Sequence, residues 1–180
     1  GELARGAGGG REGRVRFNLK RLQEYQGQVE DVERRRKELA LQGKRIYFKV
    51  PPVRFDRIIY HELVHVFQRG YDAPDWFNEG MAQLMADDMN CLIGFAVAGR
   101  TVEPIETGLS ETNDIYARGH TFWKWLASRG AAKRAVEASI VERRPWREAL
   151  EAATALSWSM IVAAEREWST REVNKLRPKE

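Results

Sequence analysis

The spacing of hydrophobic residues predicts helices over most of the chain beyond residue 54. One helical pattern starts at Arg54 or Asp56 and ends near residue 69, where Gly70 can adopt the left-handed conformation common just after a helix. A second pattern covers about 76–88, and Asp75 is placed to cap it. The remaining helical patterns cover 113–129, 131–140, 145–155 and 157–173. These elements predict a mostly helical domain.

Two stretches have strand-like character instead. Residues 44–50 (KRIYFKV) alternate apolar and polar side chains and end at a Pro-Pro pair, and 92–102 is a shorter, more loop-prone candidate. The expected fold class is therefore α+β, mostly helical, with a minimal β element. No apolar run approaches the roughly 20 residues that a bilayer-spanning helix needs. The single cysteine, Cys91, excludes an internal disulfide framework.

Charge divides the chain into two parts. Residues 1–54 carry 14 Lys and Arg against 7 Asp and Glu, whereas residues 55–180 carry 16 against 19. The basic part begins with a glycine-rich stretch and continues as a polar helical pattern over about 18–41, which contains the run RRRK at 34–37. We interpret this run as a solvated helix face. Binding of nucleic acid or of a membrane surface is the alternative, and no nucleic-acid motif accompanies the run.

Candidate chemistry is concentrated in the first predicted helix, which reads HELVH at residues 61–65. This stretch matches the pattern H-E-x-x-H, in which residues four apart lie on one face of a helix. The imidazoles of His61 and His65 can therefore reach one metal ion, and the Glu62 carboxylate lies beside them as a candidate base. An ordinary core helix with two histidines is the alternative.

Glu79 lies about one turn into the second predicted helix, within WFNEGMA at residues 76–82. The short connection between the two helices makes them neighbours and roughly antiparallel. Glu79 can then face His61 and His65. Two histidines and one carboxylate are a known ligand set for a zinc site that keeps one position for water. The sequence therefore predicts a Zn²⁺ site formed by these three residues.

The succession of HELVH and WFNEGMA resembles the gluzincin zinc metallopeptidases of the peptidase MA-like group, in which HExxH precedes a glutamate ligand in W-x-x-E-G-x-A. Residues 100–125 and 145–168 are similar to the segment after the glutamate helix and to the C-terminal helix pair of that group. The resemblance implies a small zincin-like metallopeptidase domain at 44–180, with an active-site helix, a glutamate helix and a C-terminal helical part. Residues 1–43 are expected to form a basic, glycine-rich arm followed by a polar helix.

This resemblance implies zinc-dependent hydrolysis of peptide bonds in a peptide or protein substrate. A zinc-bound water activated by Glu62 is expected to attack the scissile carbonyl, and Glu62 then protonates the leaving amine. Tyr116 matches a tyrosine of the MA-like group and is the first candidate for stabilising the oxyanion, and His120 is the second. Gln83 stands where thermolysin-like enzymes have an aspartate that orients the first histidine, and its carbonyl could accept the same bond.

Two other functions fit parts of the same sequence. A catalytically silent zinc-binding domain, acting as a protein-interaction module, is the main alternative. A nucleic-acid-associated domain that uses the basic N-terminal part is the less favoured one. The chain begins with glycine, and membrane contact is expected only through its N-terminal part or a preceding segment. The group leans toward bacterial exported or membrane-associated enzymes. Oligomeric state is left open.

Overall fold

The computed structural model describes residues 55–86 and 112–176, together with residues 23, 26, 27, 30, 31, 34, 35, 37–39, 41, 42, 102, 104 and 105. The described chain forms the helices α1 (Phe55–Gln68), α2 (Asp75–Ala86), α3 (Thr112–Ser128), α4 (Ala132–Val136), α5 (Trp146–Thr154) and α6 (Trp158–Leu176). A π-helical turn, Glu137–Val141, continues α4. The described residues from 23 to 41 are helical as well. Among the described helices, none combines the length and apolar character needed to cross a bilayer.

The mostly helical character is confirmed over this part of the chain, in which no strand occurs. Gly70 follows α1 with a φ of 71°, as predicted. The prediction that Asp75 caps α2 is wrong by one residue, because the carbonyl of Pro74 accepts the N–H groups of Phe77 and Asn78 and Pro74 takes the cap position. The predicted strand at 44–50 and nearly all of the one at 92–102 lie outside the described residues. The β element and the zincin-like topology therefore stay predictions.

Helices α2 and α3 cross in backbone contact at two glycines. A Cβ atom on Gly80 would lie 2.7 Å from the Cα of Gly119, and one on Gly119 would lie 3.0 Å from the Gly80 nitrogen and closer still to the Trp76 carbonyl. Any side chain at either position would push the two helices apart. Packing against α3 therefore explains why a glycine follows Glu79 in WFNEGMA.

Beside this crossing lies a group of edge-on and tilted aromatic rings from four helices. We call it the aromatic cluster, and its members are Trp76, Phe77, Phe122, Trp123, Trp146 and Trp158. The ring centroids of Trp76 and Phe122 are 5.0 Å apart, and those of Phe77 and Trp123 are 5.1 Å apart. The indole N–H of Trp123 donates to the carbonyl of Phe77 at 2.8 Å. This bond and the ring contacts fix the first turn of α2 against α3.

A buried ion pair ties α3 to α6 in turn. Arg118 Nη1 and Nη2 donate to the two carboxylate oxygens of Glu165 at 3.0 and 2.8 Å. Both side chains are essentially inaccessible, with exposed fractions of 1 % and 0 %. Two parallel charge-assisted bonds have a fixed geometry, which restricts how α3 can rotate about its own axis. The orientation of α2 is thus set by α3, and that of α3 by α6.

Candidate metal centre

Helix α1 presents His61 and His65 one turn apart on the side that meets α2, as the four-residue spacing requires. Glu79 Oε2 lies 3.2 Å from His61 Nε2 and 3.3 Å from His65 Nε2, and the two Nε2 atoms are 3.1 Å apart. A candidate ligand atom from each of the three residues lies within 4.8 Å of the others. We call these three residues the metal cluster. The structure brings together the three side chains that the sequence predicts as ligands.

Strong mutual interactions shift the ionisation of the metal cluster. Burial alone would raise the pKa of Glu79, but hydrogen bonds and charge from His61 and His65 lower that pKa to about 2. Burial disfavours the charged form of histidine as well, so burial alone would lower the pKa of His65. The hydrogen bond and charge of Glu79, together with contributions from Gln68 and Glu62, outweigh burial and raise the pKa of His65 above its ordinary value. Glu79 is therefore an anionic donor throughout the physiological pH range.

Gln68, the last residue of α1, contacts the other nitrogen of the His65 ring. Gln68 Oε1 lies 2.7 Å from His65 Nδ1, and Gln68 Nε2 donates to the backbone carbonyl of Asn78 at 2.9 Å. Asn78 is the residue before Glu79, so this side chain bridges the two helices that supply the metal cluster. Gln68 was not among the site residues predicted from the sequence. Its position three residues after His65 is the signal that could have identified it, because such residues share a helix face.

His61 lacks a comparable partner in the described part of the chain. Its Nδ1 atom is buried and makes no hydrogen bond, and the same holds for Oε1 of Gln83. The bond between Gln83 and the first histidine, which the resemblance suggested, is therefore not formed. Among the described residues, a side chain therefore fixes the second nitrogen of His65, whereas none fixes that of His61.

The remaining predicted site residues lie on α1 and α3. Glu62 is half-buried and contributes to the negative field that acts on His65. The Tyr116 ring lies alongside that of His61, with a centroid distance of 6.3 Å and an interplanar angle of 27°. His120 is buried one turn further along α3 and is not a member of the metal cluster. The ring contact with His61 favours Tyr116 as the neighbour of the site.

The donor atoms suit a divalent metal ion. Two imidazole nitrogens and one carboxylate oxygen are the ligand types found in hydrolytic zinc sites, where three protein ligands leave a position for water. In the metal cluster these atoms converge from two helices, and the carboxylate is ionised. The second nitrogen of His65 is also already engaged, as is usual for a histidine that binds a metal. This part of the molecule could therefore hold a metal ion.

Comparisons of the chain with protein-family models, with curated proteins and with solved structures gave no match. The gluzincin resemblance thus rests on HELVH, WFNEGMA and the similar segments that follow them. The spatial convergence of His61, His65 and Glu79 is a separate observation, because it comes from the geometry of α1 and α2.

Proposed function

We propose that the protein is a zinc-dependent peptidase whose metal is held by His61, His65 and Glu79. The observation that carries the proposal is the convergence of these three donors beside a half-buried glutamate on the same helix. A purely structural metal site has no need for an acidic residue between its histidines. Glu62, by contrast, occupies the position at which H-E-x-x-H peptidases have their general base.

The residues of this chain have distinct roles in the proposed reaction. When bound, zinc acts as a Lewis acid that lowers the pKa of water toward 7 and polarises a carbonyl. Glu62 accepts a proton from the water that attacks the scissile carbonyl carbon, and then delivers that proton to the amine that leaves. Glu62 is only half-buried, so its side chain is partly accessible for these proton transfers.

Tyr116 supplies the second electrophilic group in this scheme. A phenolic hydroxyl donates a hydrogen bond to the oxygen on which negative charge develops, and such a donor stabilises the transition state more than the ground state. The stacking of the Tyr116 ring beside His61 supports this role. His120 is the second candidate, from the same helix.

The proposal is tested by replacing Glu62 with Gln. The variant keeps the shape of the side chain and removes its basicity, so kcat on a fluorogenic peptide library should fall about 10²–10⁴-fold. Zinc content should stay equal to that of the wild type, because Glu62 is not a ligand. Glu148→Gln, on an exposed position of α5, is the matched control and should leave both quantities unchanged.

The same assay separates the peptidase from the silent zinc-binding module. A wild-type protein that contains zinc but cleaves no peptide in the library would contradict the peptidase proposal and support the module. A Glu62→Gln variant as active as the wild type would contradict the role given to Glu62.

A further inference from the structure

We propose that Gln68 is a positioning residue that fixes the tautomer of His65 and couples the His65 ring to the turn of α2 that carries Glu79. Gln68 is 5 % exposed. Its amide oxygen contacts the His65 ring, and its NH₂ group donates to the Asn78 carbonyl. Of the two tests below, the second measures zinc affinity and rests on the proposed function, whereas the first does not.

The orientation of the Gln68 amide follows from its partner on α2. A backbone carbonyl can only accept a hydrogen bond, so the Gln68 atom 2.9 Å from the Asn78 oxygen must be the NH₂ group. The amide oxygen of Gln68 is then the atom that faces the His65 ring. The hydrogen bond to Asn78 therefore determines which end of the Gln68 amide faces His65.

The tautomer of His65 follows from the orientation of Gln68. An amide oxygen can only accept, so His65 Nδ1, at 2.7 Å, must carry the proton. A neutral imidazole with its proton on Nδ1 has its lone pair on Nε2. That Nε2 is the atom 3.3 Å from the Glu79 carboxylate, and it is thus available as a metal ligand.

The same two hydrogen bonds link the position of the His65 ring on α1 to the turn of α2 that carries Glu79. The donor bond of Gln68 ends on Asn78, and the next residue supplies the carboxylate of the metal cluster. A displacement of this turn would therefore move the Gln68 amide and the Glu79 carboxylate together. His61 has no such link, since its Nδ1 makes no hydrogen bond in the described residues.

The first test uses the metal-free protein and does not depend on the proposed function. Long-range ¹H–¹⁵N correlation of the histidine rings is recorded in the Glu79→Ala background, which removes the carboxylate that competes for a proton on Nε2. At a pH where His65 is neutral, it should show a protonated Nδ1 and an unprotonated Nε2 for His65. When Gln68→Met is added to this background, the fixed pattern should give way to a mixture of tautomers. Gln83→Met removes the other buried glutamine of the two helices and should leave the His65 pattern intact.

The second test measures zinc affinity by competition with a chelator. Loss of a partner that orients a ligand typically lowers metal affinity about 10–100-fold, and Gln68→Met should fall in this range, whereas Gln83→Met should stay near the wild type. If Gln68→Met does not fold, Gln68→Glu replaces it in the first test. Its carboxylate still accepts from Nδ1 but cannot donate to Asn78, so the His65 tautomer should be kept while the thermal midpoint falls.

The outcomes separate the two proposals. An unprotonated Nδ1 on His65 in the Glu79→Ala background, with or without Gln68→Glu, would overturn the role of Gln68 whatever the metal results are. Unchanged tautomer and zinc affinity in Gln68→Met would also overturn it. The expected tautomer in the Glu79→Ala background, together with a wild type that binds no zinc, would leave the role of Gln68 standing and remove the proposed function instead.

Discussion

Helix α2 takes part in two regions that are held together in different ways. Its first turn places Trp76 and Phe77 in the aromatic cluster, where many short ring contacts act with one hydrogen bond. Glu79, two residues after Phe77, faces the histidines of α1 through a few directional polar contacts. Ring packing tolerates small adjustments, whereas ligand geometry does not. The aromatic cluster and the helix crossing therefore position α2, and the metal cluster uses that position.

We therefore expect substitutions in these two regions to have separable effects, one on stability and one on metal binding. Changes to the packing between α2, α3 and α6 should lower the free energy of unfolding of the metal-free protein. Changes to the metal cluster should act mainly on metal binding, since they leave the aromatic cluster and the helix crossing intact. Each variant below is expected to change mainly the free energy of unfolding or mainly metal binding.

The largest effect on stability is expected from Glu165→Leu. The substitution leaves the Arg118 guanidinium buried without its bidentate partner, and removal of one member of a buried pair costs about 3–5 kcal/mol. Urea unfolding of the metal-free protein measures this loss. Glu172→Leu, which removes the more exposed pair with Lys175 on the same helix, is the control and should cost at most about 1 kcal/mol.

Two further results would bear on this prediction. The double variant Arg118→Met with Glu165→Leu should recover part of the loss, because no uncompensated charge is left. If Glu165→Leu alone is as stable as the wild type, the ion pair does not hold α3 in place.

A somewhat smaller effect is expected from Gly119→Ala. The added Cβ would overlap the backbone of α2 at Trp76 and Gly80, and overpacking of this kind costs about 1–3 kcal/mol. Gly27→Ala is the matched control, because nothing lies within 4 Å of a Cβ at that helical position. It should be neutral or stabilising by up to about 1 kcal/mol. Equal unfolding midpoints for the two variants would argue against backbone contact between α2 and α3.

The smallest change is expected from pH, and it belongs to the metal cluster. Zinc binds the deprotonated form of His65, whose pKa in the metal-free protein is raised above its ordinary value of 6.5. Apparent zinc affinity should therefore begin to fall while the pH is still above 6.5, by up to about tenfold per pH unit for this one proton. Glu79, with a pKa of about 2, stays ionised and does not contribute to the decline.

Chelator competition between pH 5 and 9 measures this dependence. Gln68→Met offers a second check, because the hydrogen bond that His65 donates to Gln68 is one of the contributions that raise the pKa of His65. Its curve should be displaced toward lower pH. An affinity independent of pH over this range would show that His65 is not a ligand.

Much of the site could be predicted from the sequence, because the placement of its residues depends on local spacing. The four-residue spacing of the histidines and the start of α2 near Asp75 determine which helix faces bear His61, His65 and Glu79. Gln83 was suggested by comparison with another family, whereas the bond to His65 comes from Gln68, whose reach to Asn78 depends on how α1 and α2 pack.

Other features could not have been predicted because they depend on contacts between residues far apart in the chain. The approach of Gly80 and Gly119 and the pairing of Arg118 with Glu165 join residues 39 and 47 positions apart, and no local pattern selects them. Arginine is ordinarily exposed, so the burial of Arg118 against α6 becomes evident only from the packing. Asp75 shows a limit of local rules as well, since a preceding proline took the cap position.

The central claim is that His61, His65 and Glu79 hold one zinc ion. Its most direct test is the zinc content of purified protein, measured by inductively coupled plasma mass spectrometry on the wild type and on Glu79→Ala. We predict about one zinc per chain in the wild type and about one tenth of that or less in the variant, which lacks one of three protein ligands. A wild type without zinc after incubation with the metal, or equal zinc in both proteins, would contradict the account.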